Sequence, residues 1–365
     1  MKIGIVGTRG IPNQYGGFEQ FAEDFAVRMA AKGHDVTVYA AHNHPYRDRA
    51  FKGVHIVHCY DPEYRIGTAG QFIYDFNCIR DARKRGFDIM LQLGYTSSTI
   101  WSWLYPRKPL LVTNMDGLEW KRSKYSRSVQ RFLHYAERWG VKYSDYLIAD
   151  SKGIQDYLRL KYGAPAVFIA YGAEVYRNKD DERLPEQYRL RAGEYDLLIA
   201  RFEPENNIEI VIKAYQSLPG RTLVLIGKHE ATVFGKKMYE AYRHLPNVVF
   251  LGGIYDKKQL NNIRYNAALY YHGHSVGGTN PSLLEAMACS TVICAHDNEF
   301  NRGVLHEQAF YFSNEADIIT CARGFTGKAD FESWISNNLA AIETEYNWEA
   351  ITNRLEDHFR EWLKV

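Results

Sequence analysis

Short runs of β-branched and apolar residues alternate along the chain with longer amphipathic stretches, and the alternation occurs in two successive series. Such a pattern is typical of doubly wound α/β domains, in which helices join the strands of a parallel sheet. The strands predicted for the first series are 2–7, 35–40, 54–59, 88–93, 109–113, 145–149 and 166–170. Those predicted for the second series are 195–200, 221–226, 247–251, 267–271, 291–295 and 309–312. The pattern therefore predicts two α/β domains.

The two series are separated by a charged segment without apolar periodicity, residues 178–193, which we interpret as a linker. Beyond the last predicted strand, the chain has the period of one amphipathic helix from Trp348 to Leu363, and its apolar face consists of Ile351, Leu355, Phe359 and Leu363. The predicted organisation is a first domain over 1–177, a second over 178–346 and a closing segment over 347–365. Because ligands bind beyond the carboxyl ends of parallel strands, we expect the two domains to face each other across a substrate cleft.

Composition narrows the class of protein. The chain has 365 residues, enough for two full cores, and its formal net charge of +2 lacks the strong basic excess of nucleic-acid-binding proteins. Its 5 cysteines are scattered and form no Cys-x-x-Cys pair, which favours a reducing cytosol over a disulfide framework or a zinc site. The sequence shows no signal peptide and no long apolar run. We expect a cytoplasmic protein with no nucleic-acid partner.

The most informative segment is the glycine loop from His274 to Met287, which runs directly into a predicted helix. Asn280 can cap that helix and Pro281 suits its first turn. Three backbone amides would then converge with the positive end of the helix dipole, those of Gly278, Thr279 and Ser282. The loop is therefore a candidate phosphate site. The alternative is an ordinary strand-to-helix turn.

Glu285 lies one turn inside the same predicted helix. A carboxylate aimed at a phosphate would repel it, so Glu285 is better suited to accept hydrogen bonds from hydroxyl groups of the same ligand. Phosphate and hydroxyl groups together indicate a nucleotide or a nucleotide sugar. The competing interpretation is that Glu285 caps or pairs within the protein and never meets a ligand.

The loop after the first predicted strand, Gly7 to Glu19, does not match Gly-x-Gly-x-x-Gly, and no acid follows the second strand at a ribose-binding position. Both observations argue against a nicotinamide-dependent dehydrogenase. Gly16 and Gly17, at the start of the next helix, would let the backbone approach a ligand closely. The alternative is a flexible turn.

Two further polar segments follow predicted strands. Arg201 lies at the carboxyl end of a predicted strand, where its guanidinium can donate two hydrogen bonds to a phosphate. The alternative is an exposed arginine paired with a neighbouring acid. Asp116 and Glu119 can bind sugar hydroxyls or handle a proton, or serve only as turn and helix-capping groups. The His-x-His pairs at 42–44 and 272–274 have no evident third ligand, and no Asp-x-Asp is present, so no metal site is predicted.

Four segments together resemble those of glycosyltransferase family 4, whose members have the GT-B fold. They are Gly16-Gly17-Phe18-Glu19, Asp116-Gly117-Leu118-Glu119-Trp120, Arg201-Phe202-Glu203-Pro204-Glu205, and Gly277 through Glu285. Comparable family segments also fall at Asp150-Ser151, Tyr171-Gly172-Ala173-Glu174 and Asn347-Trp348-Glu349. The resemblance covers nearly the whole chain and is strongest to bacterial rhamnosyltransferases and related enzymes of capsule, O-antigen and exopolysaccharide assembly.

The resemblance implies a retaining, metal-independent glycosyltransferase with two Rossmann-like domains, no cofactor, and a final helix that crosses back onto the first domain. The implied donor is a dTDP- or UDP-sugar held mainly by the second domain, and the implied acceptor is a lipid-linked saccharide bound by the first. In this family the departing diphosphate is thought to help remove the acceptor's proton. Stabilising the charge of that diphosphate is then the main task of the protein.

The resemblance also implies roles for particular residues. Arg201 matches the family's phosphate arginine, Glu285 matches the second of two glutamates and contacts the ribose, and Asp116 falls near an active-site histidine. We expect Asp116 and Arg201 to be catalytic, and Glu119 and Arg122 to contact the acceptor. The expected donor-binding residues are Gly16, Gly17, Arg201, Lys228, Gly277, Gly278, Thr279, Asn280, Ser282 and Glu285.

The chain departs from the family pattern at two positions. The first family glutamate is Gly277 here, and the phosphate lysine expected five residues after the arginine is Asn206. We expect Lys228, which follows a strand of the same predicted sheet, to compensate for the lysine. The missing glutamate leaves the donor sugar open and is compatible with a deoxysugar such as rhamnose.

Two alternatives to a transferase remain open. A nucleotide-sugar 2-epimerase or another GT-B enzyme would need acid or base groups near the sugar but no acceptor site. A non-catalytic nucleotide-sugar-binding subunit would explain why two expected donor-site charges are absent.

The segment from Lys121 to Lys142 is strongly basic and contains one acid, Glu137. Its cations are Lys121, Arg122, Lys124, Arg127, Arg131, Arg138 and Lys142. Apolar residues recur beside them at helical spacing, namely Val129, Phe132, Leu133 and Ala136. We predict peripheral contact with anionic lipids on the inner face of the cell membrane. The alternative is a helix whose apolar stripe faces the core.

Overall fold

The computed structural model describes residues 1–105, 108–122, 125–177 and 186–364. Contacts within the chain divide these residues into two compact units. The first contains Met1–Lys121, Tyr125–Tyr171 and the chain from Trp348 onward, and the second contains Arg122 and Gly172–Asn347. The first half of the predicted linker, residues 178–185, lies outside the described residues.

The first unit is built on an eight-stranded sheet in the order β3-β4-β2-β1-β5-β6-β7-β8. Its strands are β1 Lys2–Val6, β2 Asp35–Ala41, β3 Ala50–Phe51, β4 Val54–Cys59, β5 Ile89–Leu93, β6 Leu110–Asn114, β7 Tyr146–Ala149 and β8 Ala166–Phe168. All neighbours are parallel except β3, which pairs antiparallel with β4. The seven predicted strands of this unit are confirmed. The sequence pattern did not predict β3. Two residues at a sheet edge carry no periodicity that could reveal a strand.

Helices cover both faces of this sheet, as the nearly continuous apolar runs in its central strands require. They are α1 Gly17–Ala31, α2 Glu63–Ile66, α3 Gly70–Ala82, α4 Arg127–Tyr143 and α5 Lys152–Tyr162. The strand order reverses between β2 and β5 on either side of β1. Ligand sites of doubly wound sheets form beside such a reversal, at the carboxyl ends of the strands.

The second unit is built on a six-stranded sheet in the order β11-β10-β9-β12-β13-β14, with every neighbouring pair parallel. Its strands are β9 Tyr195–Ile199, β10 Thr222–Ile226, β11 Val248–Gly252, β12 Leu269–His272, β13 Val292–His296 and β14 Phe310–Phe312. Its helices are α6 Ile208–Gln216, α7 Val233–Tyr242, α8 Lys257–Asn266, α9 Pro281–Ala288, α10 Glu299–Leu305, α11 Glu315–Gly324 and α12 Glu332–Thr344. Here the order reverses between β9 and β12, so the loops after these two strands mark the expected ligand site.

The last helix, α13 Trp348–Trp362, is part of the first unit and packs against α1. Ile351, Leu355 and Phe359 are buried as predicted, and the ring of Phe359 meets that of Phe25 edge-on. The prediction that Leu363 belongs to the buried face is wrong, because the helix ends at Trp362 and Leu363 is 39% exposed. Trp362 is buried in its place and stacks on Tyr146.

The basic segment of the first unit forms α4, which is capped by Ser126. The prediction that the apolar stripe of this helix faces the membrane is wrong in part, because Leu133 and Ala136 are buried in the core. Glu137, the one acid, is also buried and is bonded by Trp120, Tyr157, Lys161 and Tyr162. The face that α4 leaves in solvent carries aromatic side chains instead, those of Tyr135, Trp139 and Tyr143.

The exposed cations of the same segment are Lys121, Arg127, Arg131, Arg138 and Lys142, whereas Arg122 is buried and Lys124 lies outside the described residues. None of the described helices is both long and apolar enough to cross a bilayer.

Candidate functional site

The loops after β9 and β12 are joined to each other by hydrogen bonds at the reversal point of the second sheet. The backbone N–H of Ser275 donates to the carbonyl of Glu205 at 3.0 Å, and the Ser275 hydroxyl donates to the same oxygen at 2.8 Å. The side-chain amide of Asn207 donates to the carbonyl of Gly273 at 2.8 Å. A Cβ on Gly273 would lie only 2.0 Å from the carbonyl oxygen of Asn206, so this close approach requires glycine. The two loops therefore form one connected platform.

The glycine loop leads into α9 and is capped as predicted. Asn280 Oδ1 accepts a hydrogen bond from the N–H of Ser282 at 2.9 Å, and Pro281 occupies the first turn. This cap corrects the prediction that the Ser282 amide is open to a ligand, because an asparagine cap satisfies that donor itself. The Ser282 hydroxyl is also engaged, lying 2.7 Å from that of Tyr270. The Ser282 amide is thereby removed from the predicted anion contacts of this loop.

Gly277, where the resemblance led us to expect a glutamate, lies in a backbone conformation that favours glycine. Gly277 has φ of +120°, a conformation that L side chains rarely adopt. A Cβ built there would lie 3.1 Å from Nε2 of His274. The imidazole of His274 therefore lies where a side chain at position 277 would begin.

His274 is held in one tautomer by Asn206. The amide nitrogen of Asn206 donates to the carbonyl of Arg201 at 2.7 Å, so the amide oxygen faces His274 Nδ1 at 2.8 Å and accepts its proton. Burial lowers the pKa of His274 well below its usual range, and the charges of His272, Arg122 and Arg201 lower it further. The imidazole is therefore neutral near pH 7 and experiences a positive potential.

Asn206, where the resemblance led us to expect a lysine, is engaged by the same contacts. Asn206 is 7% exposed and uses both its donor and its acceptor to connect Arg201 with His274. A lysine has no acceptor and could not replace the amide in this bridge. Arg201 itself is exposed, in keeping with its predicted place at the end of β9.

Arg122 lies with the second unit, although the sequence grouped it with Glu119 as an acceptor contact. Its guanidinium donates to Glu205 Oε1 at 3.2 Å, and the side chains are 9% and 2% exposed respectively. Lys228, the cation expected to compensate for Asn206, is exposed after β10, with its ammonium 4.8 Å from the ring centre of Tyr255.

Glu285 forms an ion pair with Arg264 of α8, and the side chains are 18% and 2% exposed respectively. The pairing that the sequence left as an alternative is therefore present. It does not decide whether the carboxylate also accepts from a ligand hydroxyl, because a carboxylate has two oxygens and several lone pairs.

The remaining candidates lie in the first unit, after β1 and β6. Gly16 precedes α1 and Gly17 begins it, and the side chain of Glu19 accepts from the backbone N–H of Arg9 at 2.8 Å. Asp116 adopts φ of +48° in a turn closed by Asn114, whose side-chain oxygen accepts the Asp116 N–H at 2.9 Å. Glu119 is buried and its N–H donates to the hydroxyl of Tyr95 at 3.2 Å.

Sequence reasoning gave no role to Asp150 and Tyr171, which lie beside Asp116. Burial raises the pKa of Asp150 well above its usual range, and the charge of Asp116 raises it further. Burial likewise raises the pKa of Tyr171, followed by the charges of Asp116, Asp150, Glu19 and Glu119. The fold therefore brings acids from distant segments of the chain close to Tyr171. In the sequence, only the resemblance to the family had indicated the segments of Asp150 and Tyr171.

No group of three or more His, Cys, Asp or Glu side chains is arranged to hold a metal ion in the part of the chain that the structure describes. Of the His-x-His pair at 272–274, His274 is half-buried and held by Asn206, and His272 is buried. The predicted independence from metal stays a prediction.

Two family models match this chain. Residues 1–174 match a domain of unknown function, DUF1972, and residues 180–323 match glycosyl transferases group 1. A glycogen synthase from Mycobacterium tuberculosis is 26% identical over 260 residues, and the match covers 62% of each chain. The chain thus spans less than two thirds of the length of this relative. The match to glycosyl transferases group 1 falls within the second unit.

Solved structures show the same fold. Sucrose-phosphate synthase from Thermosynechococcus elongatus is 18% identical and superposes with a TM-score of 0.82 over 100% of this chain and 99% of its own. Anabaena HepE in complex with UDP-glucose is 16% identical, with a TM-score of 0.75 over 98% of this chain and 99% of its own. The fold is GT-B, with two parallel-sheet α/β domains.

Proposed function

We propose that this chain is a retaining, metal-independent glycosyltransferase that moves a sugar from a nucleoside-diphosphate sugar to a saccharide acceptor. The observation that carries the proposal is the platform in the second unit, where Arg201, the capped start of α9 and Glu285 follow strands on either side of the sheet's reversal point. The group 1 match over the same residues supports it.

The parts of this platform suit a sugar diphosphate. Arg201 would donate to the phosphates together with the amides of Gly278 and Thr279, where the helix dipole favours negative charge. Glu285 would accept from a hydroxyl of the nucleoside sugar. Because negative charge grows on the diphosphate as the glycosidic bond breaks, donors already fixed in place stabilise the transition state more than the ground state.

The acids around Tyr171 in the first unit suit the acceptor. We assign Asp116 a catalytic role near the transferred sugar and Glu119 a contact with acceptor hydroxyls. Burial raises the pKa of Asp150 well above its usual range and the charge of Asp116 raises it further, which favours the protonated form of Asp150. Gly16 and Gly17 would let the backbone at the start of α1 approach the donor closely.

The acceptor is proposed to be lipid-linked and the product a bacterial surface polysaccharide, with rhamnose as one candidate sugar. The support is the exposed face of α4, which combines arginine and lysine with Tyr135, Trp139 and Tyr143. Aromatic side chains favour the membrane interface and basic ones favour anionic headgroups. We therefore propose a cytoplasmic enzyme that binds the inner face of the membrane peripherally.

A panel of dTDP- and UDP-sugars tests the reaction type. Each is incubated with the purified chain, with and without a lipid-linked saccharide extract, and the nucleotide and sugar products are separated by mass. Transfer that depends on the extract and retains the anomeric configuration is expected. A sugar altered without acceptor would instead show an epimerase, and tight binding with no turnover would show a binding subunit.

A further inference from the structure

A cavity of about 420 Å³ lies at the amino edge of the second sheet. Its wall forms where the chain enters β9, β12 and β13, at Gly193, at 266–268 and at Ser290. The other lining residues are Tyr265, Phe325, Gly327, Lys328 and Ile335. All of these residues belong to the second unit. The volume is within the roughly 300 to 1,000 Å³ of small-molecule sites.

The cavity is separate from the candidate donor site. Arg201 and the glycine loop follow the carboxyl ends of β9 and β12, which are the opposite ends of the same strands. Strands of 5 and 4 residues put roughly 13 to 16 Å between the two edges of the sheet. A ligand in this cavity would therefore not occupy the donor site.

Lys328 brings an ammonium group to the cavity wall. Its Nζ donates to the backbone carbonyl of Tyr265 at 2.5 Å and lies 5.4 Å from the centre of the Tyr265 ring. No carboxylate pairs with this ammonium in the part of the chain that the structure describes. The nearby thiol of Cys289 supplies no negative charge, because burial raises its pKa to about 12. The positive charge of Lys328 therefore has no anionic partner among the described residues.

The contact with Tyr265 has a structural explanation, which covers only part of this arrangement. Tyr265 lies at the end of α8, where a lysine can donate to a last carbonyl and favour the helix dipole. Lysine in that role usually keeps its ammonium in water. Here Lys328 is half-buried, and burial lowers its pKa to about 8, so the protein holds a cation at a cost in solvation. An anion in the cavity would recover that cost, and the carbonyl uses only one of the three N–H donors.

The rest of the lining indicates the kind of anion. The rings of Tyr265 and Phe325 and the side chains of Ala267, Ala268 and Ile335 present apolar surface. The guanidinium of Arg221 lies 5.5 Å from the centre of the Phe325 ring, but both oxygens of Asp196 already accept from it, at 2.7 and 2.6 Å. One uncompensated positive charge beside apolar walls matches a monoanion with an apolar body better than a phosphate dianion.

We propose that this cavity binds a small organic carboxylate with a flat apolar body, whose carboxylate pairs with the ammonium of Lys328 and whose body contacts the rings of Tyr265 and Phe325. The site lies beyond the proposed function and does not rest on it, since its ligand is neither donor nor acceptor.

The test compares benzoate with benzamide, which has the same shape and no charge, on the full chain by ligand-observed NMR. Benzoate should bind roughly tenfold more tightly, as expected for a charge-assisted hydrogen bond in place of a neutral one. Lys328→Gln keeps a donor for the Tyr265 carbonyl but should abolish this preference, whereas Lys328→Arg should keep it. Lys236→Gln, at an exposed position of α7, is the matched control and should bind as the wild type does.

Two further readouts locate the site. Benzoate affinity should fall as the pH rises through about 8, because Lys328 then loses its proton while the thiol of Cys289 stays neutral. Benzoate should also slow the acylation of Lys328 by acetic anhydride, mapped by mass spectrometry, without slowing that of Lys236.

The inference is overturned if the wild type binds benzoate no better than benzamide, or if Lys328→Gln keeps the preference. It is also overturned if UDP displaces benzoate, which would place the probe in the donor site, or if inorganic phosphate protects Lys328 as well as benzoate does. A lower melting temperature of Lys328→Gln, with no benzoate binding by the wild type, would show that Lys328 only caps α8.

Discussion

At the scale of single residues, the exposed guanidinium of Arg201 is the group whose loss should be most specific for chemistry. Arg201→Ala should cost about 2 to 4 kcal/mol of transition-state stabilisation, the usual effect of removing one fixed donor to a developing charge. Folding should survive, because the side chain is exposed and the hydrogen bonds from Glu203 and Asn206 are accepted by the backbone carbonyl of Arg201. Steady-state kcat/KM with the preferred donor measures the effect.

Arg302→Ala provides the control for that variant. Arg302 is an exposed arginine of the same unit, and its guanidinium pairs with Asp297. It should leave kcat/KM unchanged. Near-normal turnover of Arg201→Ala with the true donor would show that Arg201 is an ordinary surface residue.

Glu285 is a second residue for which measurement can distinguish a ligand-binding role from a structural role. Glu285→Gln replaces a charge-assisted hydrogen bond to a ligand hydroxyl with a neutral one, so donor affinity should fall roughly tenfold, about 1.4 kcal/mol. The same change leaves the buried guanidinium of Arg264 without its carboxylate partner, so a lower melting temperature is expected as well. Calorimetry with the nucleoside diphosphate and a thermal melt report the two effects independently.

Arg264→Gln is the matched variant, because it breaks the same ion pair but keeps the carboxylate of Glu285. It should lower the melting temperature and retain more donor affinity than Glu285→Gln. If both variants lose stability and neither loses affinity, Glu285 serves only its pair with Arg264.

At the scale of elements, α13 is fastened to the first unit by a charge network around Glu356. Burial by itself raises the pKa of this carboxyl, but hydrogen bonds from Lys32, Arg360 and His34 outweigh it and lower the pKa to about 2. A lowered pKa contributes stability that is present above the ordinary value near 4.5 and is lost as the pH falls toward 2. The attachment of α13 should therefore weaken in acid.

Glu356→Gln should lower the free energy of unfolding by about 1 to 3 kcal/mol at pH 7, as expected for charge-assisted hydrogen bonds. The difference from the wild type should narrow as the pH falls from 4.5 toward 2, because the carboxyl takes up a proton first in the unfolded chain and only near pH 2 in the folded one. Urea unfolding from pH 7 down to about 2 measures the difference. Glu361→Gln on the same helix, with a side chain 73% exposed, should change little at any pH. A constant difference across this range would contradict the assignment.

The elements also show what the sequence could predict and what it could not. Hydrophobic periodicity located the parallel strands and α13, because burial on both faces of a sheet or on one face of a helix repeats regularly. The cap by Asn280 was predictable because it is local. Partners far apart in sequence left no such signal: Arg122 finds Glu205 and Arg264 finds Glu285 only through the fold. The Ser282 amide was misjudged because the cap uses the donor that a ligand would need.

At the scale of the whole molecule, charge is unevenly distributed. A formal net charge of +2 is too small for general attraction to an anionic surface, so any such attraction must be local. The exposed basic residues of α4 and the turn before it stand beside Tyr135, 60% exposed, and Trp139, 38% exposed. Burying Leu133 and Ala136 in the core does not remove this surface, because it lies on the opposite side of the helix.

We expect the full chain to sediment with phosphatidylserine-containing vesicles at low salt and to be released by added salt, because each basic residue contributes about 1 kcal/mol at most near an anionic surface. Arg131→Gln/Arg138→Gln should weaken binding and its salt dependence, whereas Trp139→Ala should weaken binding at every salt concentration, since the indole acts through the interface and not through charge. Lys236→Gln/Lys237→Gln removes the same charge from exposed positions of α7 and should have no effect. Equal sedimentation of the wild type with phosphatidylserine-containing and phosphatidylcholine vesicles would rule out an electrostatic membrane surface, and an equal loss in the α7 variant would show that total charge, and not α4, is responsible.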